Sequence, residues 1–302
     1  STTQLQNRAN LFITVGRIVF VYLIGYIAFT ITQEGGISKI DFLVIGLFLL
    51  NGLLTLFAQP LIYLYERLFK LVSDVSLLEL SDTNTKLLKE LSDRAPGTFH
   101  HSLQVANLAE TAANEIGANT LLVRVGALYH DIGKINAPTY FSENQTGSVS
   151  PHEEMAPDQS AKIIINHVAE GIEIGKKFKL PDRIIDFIRT HHGNSWVYFF
   201  YKKAQEMKND LDERDFRYTG PRPFSKETAI LMMADAVEAA SKSIREPSVD
   251  VIRKFVDSII SKQIDEKQFN DCNITLSEIE TVKKVLSKKL INIYHLRVEY
   301  PE

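Results

Sequence analysis

Residues Leu128 to Lys134 read LYHDIGK, an apolar run that stops on an imidazole and a carboxylate side by side, with glycine and lysine directly after. Neutral imidazole with carboxylate is an ordinary ligand set for a hard or borderline divalent cation. A histidine-aspartate pair also arises by chance, so the chemistry depends on what else can reach it. Of the eight histidines in the chain, His101, His130, His167, His191 and His192 fall on or beside expected helices, where their rings can project into one cleft. His101 sits a turn inside the helix before the one that ends at His130 and Asp131, so a helix hairpin would bring the three together. A fourth ligand is offered by LMMADAVEAA, in which Asp235 is a carboxylate within an otherwise apolar helical segment. An unpaired charge there would cost on the order of several kcal/mol, and metal coordination offsets that. Singly, each residue has a plainer explanation: a lone histidine is ordinarily a core or surface residue, and adjacent histidines usually face different sides of a helix. His191 and His192 escape that rule by ending a helix just before Gly193.

The elements that must position these residues are helical. A helix is expected from Thr98 to Ile116, closed by Gly117, and a more apolar one from Leu121 to Ile132. The loop GKINAPTYFSENQTGSVSPHEEMAPDQS is long and rich in turn formers, as functional loops often are. Further helices are expected at about Asp158 to Glu170, Asp182 to Thr190 and Ser225 to Ile244, with another opening at Ser248. TLSE, Thr275 to Glu278, is a capping box ahead of a last helix to about His295. No alternating apolar run with hairpin chemistry occurs, so the fold class is all-α.

Composition bounds the function from outside. The chain has 302 residues and a net charge of -3, and no local basic patch stands out, so a nucleic-acid polymer is not the expected partner. The single cysteine, Cys272, excludes an internal disulfide and a cysteine-based zinc site. Two apolar runs stand at the N-terminal end, Leu11 to about Thr32 with one charge, Arg17, and Phe42 to about Tyr65 with none. Each is about long enough to cross a ~30 Å hydrocarbon layer, and Gly16, Gly25, Gly46 and Gly52 suit close packing of membrane helices. Both are expected to be transmembrane helices, with Leu61 to Leu80 continuing the second as an amphipathic stalk. The connection QEGGISKID has Lys39 as its only base, whereas Arg8 precedes the first run and Arg67, Lys70, Lys86 and Lys89 follow the second. That bias places both ends in the cytoplasm.

HHSLQVANLAE, LYHDIGK and MMADAVEAA are similar to the H, HD and D elements of the HD-domain metal-dependent phosphohydrolases. The wider pattern RAPGTFHHS, VGALYHDIGK, FSENQ, THHG and ADAVEAASKS resembles the cytoplasmic domain of the seven-transmembrane HD family, the PgpH-type cyclic di-AMP phosphodiesterases of bacteria, over Leu91 to about Arg245. The departure is two expected spans instead of seven, which reads as a segment beginning late in the membrane region. The resemblance implies a membrane region over 1–66 with two transmembrane helices, a juxtamembrane helical linker over 67–95 and an HD phosphohydrolase domain over 96–302. It implies a multi-pass protein of the inner (cytoplasmic) membrane, in contact with lipid, with its HD domain in the cytoplasm; a homodimer is compatible with it.

The resemblance also assigns roles. His101, His130, Asp131 and Asp235 would hold one divalent transition-metal ion and His167, His191 and His192 a second, iron or manganese, with Asp131 bridging and catalytic. Two such ions ~3.5 to 4 Å apart activate water and stabilise the oxygens at phosphorus. Lys134, a turn beyond His130, would meet a phosphate oxygen as a catalytic and substrate-binding point charge; without the resemblance it is equally a solvated lysine. Tyr140, Phe141 and Asn144, in the long loop, are the implied substrate contacts, the aromatic rings by stacking adenine. The run WVYFFY, Trp196 to Tyr201, could stack a base too, but core packing or a subunit contact is the simpler role. The substrate implied is cyclic di-AMP, opened to linear pApA. Cyclic di-GMP and guanosine tetraphosphate are alternatives, though GNSWVY after His192 lacks the glycine-tyrosine-proline element of the cyclic di-GMP group. A catalytically silent nucleotide sensor is the alternative from another class, and so full a ligand set argues against it.

Overall fold

A computed structural model describes residues 8–69, 71–145, 150–207 and 212–295, and among them the secondary structure is helical apart from one isolated antiparallel bridge, Trp196 to Arg217. The backbone gathers into two compact units, 1–78 and 79–302.

In the first unit, α1 (Arg8–Glu34) contains a 22-residue stretch, Phe12–Gln33, of mean hydropathy 2.0. A core helix would hide such a surface, yet Phe12, Phe20, Val21 and Phe29 are all exposed, as lipid-facing side chains are. α2 (Phe42–Leu56) returns along it, stacking Phe48 on Tyr22. Gly52 permits this, since a Cβ there would lie 2.5 Å from a Val19 methyl. The second apolar run departs from expectation. It does not form one span to Tyr65; α2 stops after 15 residues, and α3 (Ala58–Phe69) begins beyond Phe57. Pro60 explains the break, because it has no N–H to give the Leu56 carbonyl and its ring would crowd that group. The Phe57 N–H turns instead to the Leu54 carbonyl at 3.0 Å. One helix, not two, is therefore long and apolar enough to cross a membrane among the described residues. The expected stalk is interrupted as well: the Glu66 carboxylate accepts the Ser73 N–H at 2.7 Å, and a new helix, α4 (Asp74–Ser81), starts there.

The second unit is a helical bundle of α5 (Lys86–Arg94), α6 (Pro96–Glu115), α7 (Thr120–Tyr129), α8 (Pro157–Lys177), α9 (Asp182–Thr190), α10 (Tyr198–Met207), α11 (Lys226–Ser241), α12 (Val249–Asp265) and α13 (Leu276–His295). α6 and α7 form the hairpin, α11 packs on both, and α8 and α9 join through α7 and the turn after it. α11 is buried from Thr228 through Asp235 without a solvent face, the mark of a central helix. Its start is fixed by Ser225, whose hydroxyl accepts the Thr228 N–H at 3.3 Å. The TLSE capping box forms too, with Thr275 N–H to Glu278 at 2.8 Å and Glu278 N–H to Thr275 at 3.2 Å.

α8 runs past the expected end at Glu170, to Lys177. Gly171 is there for proximity: a Cβ on it would lie 2.8 Å from an Ile188 methyl, and one on Gly133 would lie 1.8 Å from the His167 carbonyl oxygen. The Ile132–Asn136 turn is thereby pressed onto α8 at His167. The long loop condenses into further short 3-10 turns, Pro138–Tyr140, Ser142–Asn144 and Pro151–Glu153, while 146–149 lie outside the described residues. The aromatic run becomes α10 and its approach. Phe200 packs with Ala161, Ala204 and Phe216, with Trp196 and Tyr201 against them, so core packing accounts for these three rings.

Candidate metal centre

Helix ends and interiors place the seven residues. His130 caps the C-terminus of α7, and Asp131 opens the next turn. His191 caps α9, with His192 following. His101, His167 and Asp235 project from the interiors of α6, α8 and α11. In three of the histidines the same device fixes the ring: Nδ1–H donates to the carbonyl three residues back, His130 to Ala127 at 2.7 Å, His191 to Ile188 at 2.8 Å and His167 to Ile164. That leaves Nε2 as the free donor nitrogen in each, the tautomer a metal requires.

The nitrogens gather in two sets around Asp131. Its Oδ1 lies 3.3 Å from His167 Nε2 and 3.5 Å from His191 Nε2. Its Oδ2 lies 3.3 Å from His130 Nε2 and 3.7 Å from His101 Nε2. Asp235 Oδ1 joins the second pair, 2.9 Å from His101 and 3.5 Å from His130. His192 stands with Asp131, His167 and His191 in a group whose donor atoms all lie within 4.8 Å of one another.

Donors bound to a first-row cation at ~2.1 Å are ~3.0 to 3.4 Å apart in octahedral or tetrahedral geometry, and these separations, 2.9 to 3.7 Å, bracket that range. Two buried atoms point the same way: His130 Nε2 and Asp131 Oδ1 have no hydrogen-bond partner. A buried polar atom without a partner is costly, and a cation satisfies both. The residues fit a metal site.

Electrostatics describe the same demand for positive charge. At His130 burial opposes protonation, but the carboxylates of Asp131 and Asp235 outweigh it and push the imidazole up to about 10. At Asp131 burial favours the neutral acid, and Lys134 and His130 overcome it, holding the carboxyl well below its usual range; His101 and His130 do the same for Asp235. His191 and His192 are lowered, chiefly by burial.

Lys134 Nζ is held between two carboxylates, 2.6 Å from Asp131 Oδ2 and 2.8 Å from Glu143 Oε1. Glu143 also accepts the Thr98 hydroxyl at 3.1 Å. The Asn144 side chain is engaged with the start of α6, accepting the Thr98 N–H at 3.1 Å and donating to its hydroxyl at 2.8 Å. Tyr140 and Phe141 line a cavity of about 480 Å³ with His152, Phe199 and Lys203, and Phe141 meets the His167 ring edge-on at 5.7 Å.

Two residues at the centre escaped the sequence reading. Glu238, one turn beyond Asp235, accepts the Nδ1–H of His101 and is itself met by Lys242 at 3.1 Å. The i, i+3 spacing in DAVE was the available signal. Tyr218 stacks on His192, and nothing local in FRYTGPRP marks it.

The model of the HD domain matches residues 98–240, and that of the 7TM receptor with intracellular HD hydrolase matches 1–73. The chain is similar to the cyclic-di-AMP phosphodiesterase PgpH of Bacillus subtilis, 40% identical over 94% of this chain and 40% of that protein. It is similar to its namesake in Listeria monocytogenes, 46% identical over 79% of this chain and 33% of that protein. The chain thus spans well under half the length of these relatives. The crystal structure of the L. monocytogenes PgpH HD domain in complex with cyclic-di-AMP superposes with a TM-score of 0.69 at 46% identity, covering 70% of this chain and all of that one.

Proposed function

Since this chain belongs to the HD-domain family, in the branch of seven-transmembrane proteins with an intracellular HD hydrolase, we propose that it is a membrane-anchored, metal-dependent phosphodiesterase that opens cyclic di-AMP to linear pApA. Its N-terminal region, to about residue 66, would lie among the spans of a multi-pass inner-membrane protein in contact with lipid, a linker would follow over 67–95, and the HD domain, from residue 96, would work in the cytoplasm.

The observation that carries the reading is the division of Asp131, one oxygen toward His167 and His191 and the other toward His130 and His101. His101, His130, Asp131 and Asp235 would hold one cation and Asp131, His167, His191 and His192 the other, with iron or manganese expected at this nitrogen-rich set. When bound, two such ions supply Lewis-acid chemistry: an activated water and stabilisation of charge at phosphorus.

The chain's own residues do the rest. Backbone carbonyls behind His130, His167 and His191 lock the rings, so no rotation has to be frozen when substrate arrives. Burial of Asp131 and His130 keeps bulk water from screening the charges. Lys134, already held at the Oδ2 edge of Asp131, would meet a non-bridging phosphate oxygen as a point charge. Tyr140 and Phe141 would place an adenine at the neighbouring cavity, and Asn144 would support that wall through Thr98.

The test is purification without added metal, elemental analysis per chain, and an assay across cyclic di-AMP, cyclic di-GMP, guanosine tetraphosphate and linear dinucleotides. Two metals per chain and fastest turnover of cyclic di-AMP are expected. A preference for either guanine nucleotide, or nucleotide binding without turnover in the metal-loaded protein, overturns the assignment.

A further inference from the structure

The segment FRYTGPRP between α10 and α11 carries Tyr218 to the edge of the metal centre. Tyr218 is 8% exposed. Its ring lies on that of His192 with centroids 4.2 Å apart and 27° between planes, and meets His167 edge-on at 6.2 Å. The backbone around it is pinned: the Tyr218 N–H donates to the Ser195 carbonyl at 3.0 Å, and the Val197 N–H donates to the Phe216 carbonyl at 2.8 Å. Gly220 brings the same segment onto the end of α9, where a Cβ would lie 2.3 Å from the Arg189 carbonyl oxygen.

A buried phenol normally spends its hydroxyl on a partner. Tyr129 does so, with Thr85 at 3.1 Å and the Leu80 carbonyl at 3.0 Å. The Tyr218 hydroxyl has no hydrogen-bond partner among the described residues. Tyr218 instead borders a cavity of about 360 Å³ shared with His192, Asn166, Arg189 and Thr219. An unspent donor, rigidly mounted beside a set of metal ligands and next to open space, calls for an acceptor that arrives with the ligand. At a centre that takes phosphate esters, that acceptor is a phosphoryl oxygen.

We propose that the Tyr218 hydroxyl donates a hydrogen bond to a non-bridging oxygen of the bound phosphodiester, on the His167, His191 and His192 side of the centre. The proposal rests on the phosphodiesterase reading above. Tyr218 keeps its proton throughout; it positions the ester and strengthens its hold as charge builds on that oxygen in the transition state.

Tyr218→Phe removes the hydroxyl and keeps the ring on His192. Three measurements on the full chain in detergent decide the matter: bound metal per chain, kcat and KM for cyclic di-AMP, and the Kd of inorganic phosphate by calorimetry. Expected are unchanged metal content, a kcat lower by about 10- to 1,000-fold, and phosphate binding weakened about fivefold or more. Tyr218→Ala, which also removes the stacked ring, should in addition deplete the second metal. Wild-type kcat and phosphate affinity in the phenylalanine variant would overturn the proposal. So would loss of the second metal in that variant, since the side chain would then act on His192 and not on substrate. If the wild-type, metal-loaded protein turns over no cyclic dinucleotide, the phosphodiesterase reading fails, and an unchanged phosphate Kd in Tyr218→Phe separately disposes of the hydroxyl.

Discussion

The two halves of the candidate metal centre share Asp131 but are built on different chemistry. Around His101 and His130 the surroundings are anionic: Asp235 faces both rings, and Glu238 takes the Nδ1–H of His101. Around His167, His191 and His192 the carboxylate nearest all three is Asp131, with Asp235 reaching within 4.8 Å of His191, and the packing partners are rings, Phe141 on His167 and Tyr218 on His192. The first half gathers negative charge that only a cation or a proton can offset. The second is preformed by backbone carbonyls and aromatic stacking, and burial favours the neutral form of His191 and His192 there. The difference implies unequal affinities, with a cation held tightly in the first half and exchanging more readily in the second.

Breaking the shared ligand should have the largest effect. Asp131→Asn keeps the volume and removes the charge between the two sets, so both metals should be lost and turnover should fall by about three orders of magnitude or more. His167→Ala should deplete mainly the second metal. Metal per chain measured beside phosphodiesterase rate separates the two, and an Asp131→Asn protein with two metals and near-normal rate would remove the bridging role.

The halves should also differ in their response to pH. In the metal-free protein His130 is raised from its ordinary 6.5 to about 10 by Asp131 and Asp235, so its protonated form prevails at neutral pH. The stability this proton gives the metal-free fold is complete below about pH 6.5 and lost as pH rises through about 10. A cation entering the first half must displace that proton, and its apparent affinity should climb up to tenfold per pH unit across that window. His191 and His192 are lowered, so neither carries a proton to expel near neutrality. Calorimetric titration in buffers of different ionisation enthalpy should find more protons released with the first metal than with the second. Equal release at both steps would erase the distinction.

Much of this cluster was legible in the residues because ligand chemistry leaves a local mark: LYHDIGK ends a helix on two candidate ligands, and Asp235 is conspicuous in an apolar helix. Glu238 and Tyr218 were not legible for opposite reasons. Glu238 looks like any outward glutamate until α6 lays His101 against it, and Tyr218 reaches His192 only through the bridge that pairs Trp196 with Arg217. The helices of the bundle were foreseen from period and caps, whereas α10 was hidden in an aromatic run with no clear polar face. The second apolar run reads as one span by apolar length alone, and Pro60 divides it into two helices.

Glu238 sharpens the comparison further. A carboxylate behind a metal-bound imidazole fixes its tautomer and raises its basicity, and removing such a partner typically costs about 10- to 100-fold in metal affinity. Glu238→Ala should weaken the first metal by that factor and leave the second unchanged, read by competition with a chelator of known affinity. Equal weakening of both metals would mean that Glu238 supports the bundle and not one half of the centre.

The smallest effect should come one step further out, at Lys242. Its Nζ lies 3.1 Å from Glu238, one turn along α11, but its side chain is 53% exposed, so solvent screens the pair and its worth is about 0 to 1 kcal/mol. Lys242 also competes with His101 for the Glu238 carboxylate and adds positive charge near the first half. Removing it should therefore tighten the first metal slightly, by no more than about fivefold, with the second unaffected. The sign matters more than the size. If Lys242→Met weakened the first metal instead, Glu238 would need the lysine to hold its carboxylate against His101, and the chain of control over this half would extend from the ligand to the protein surface.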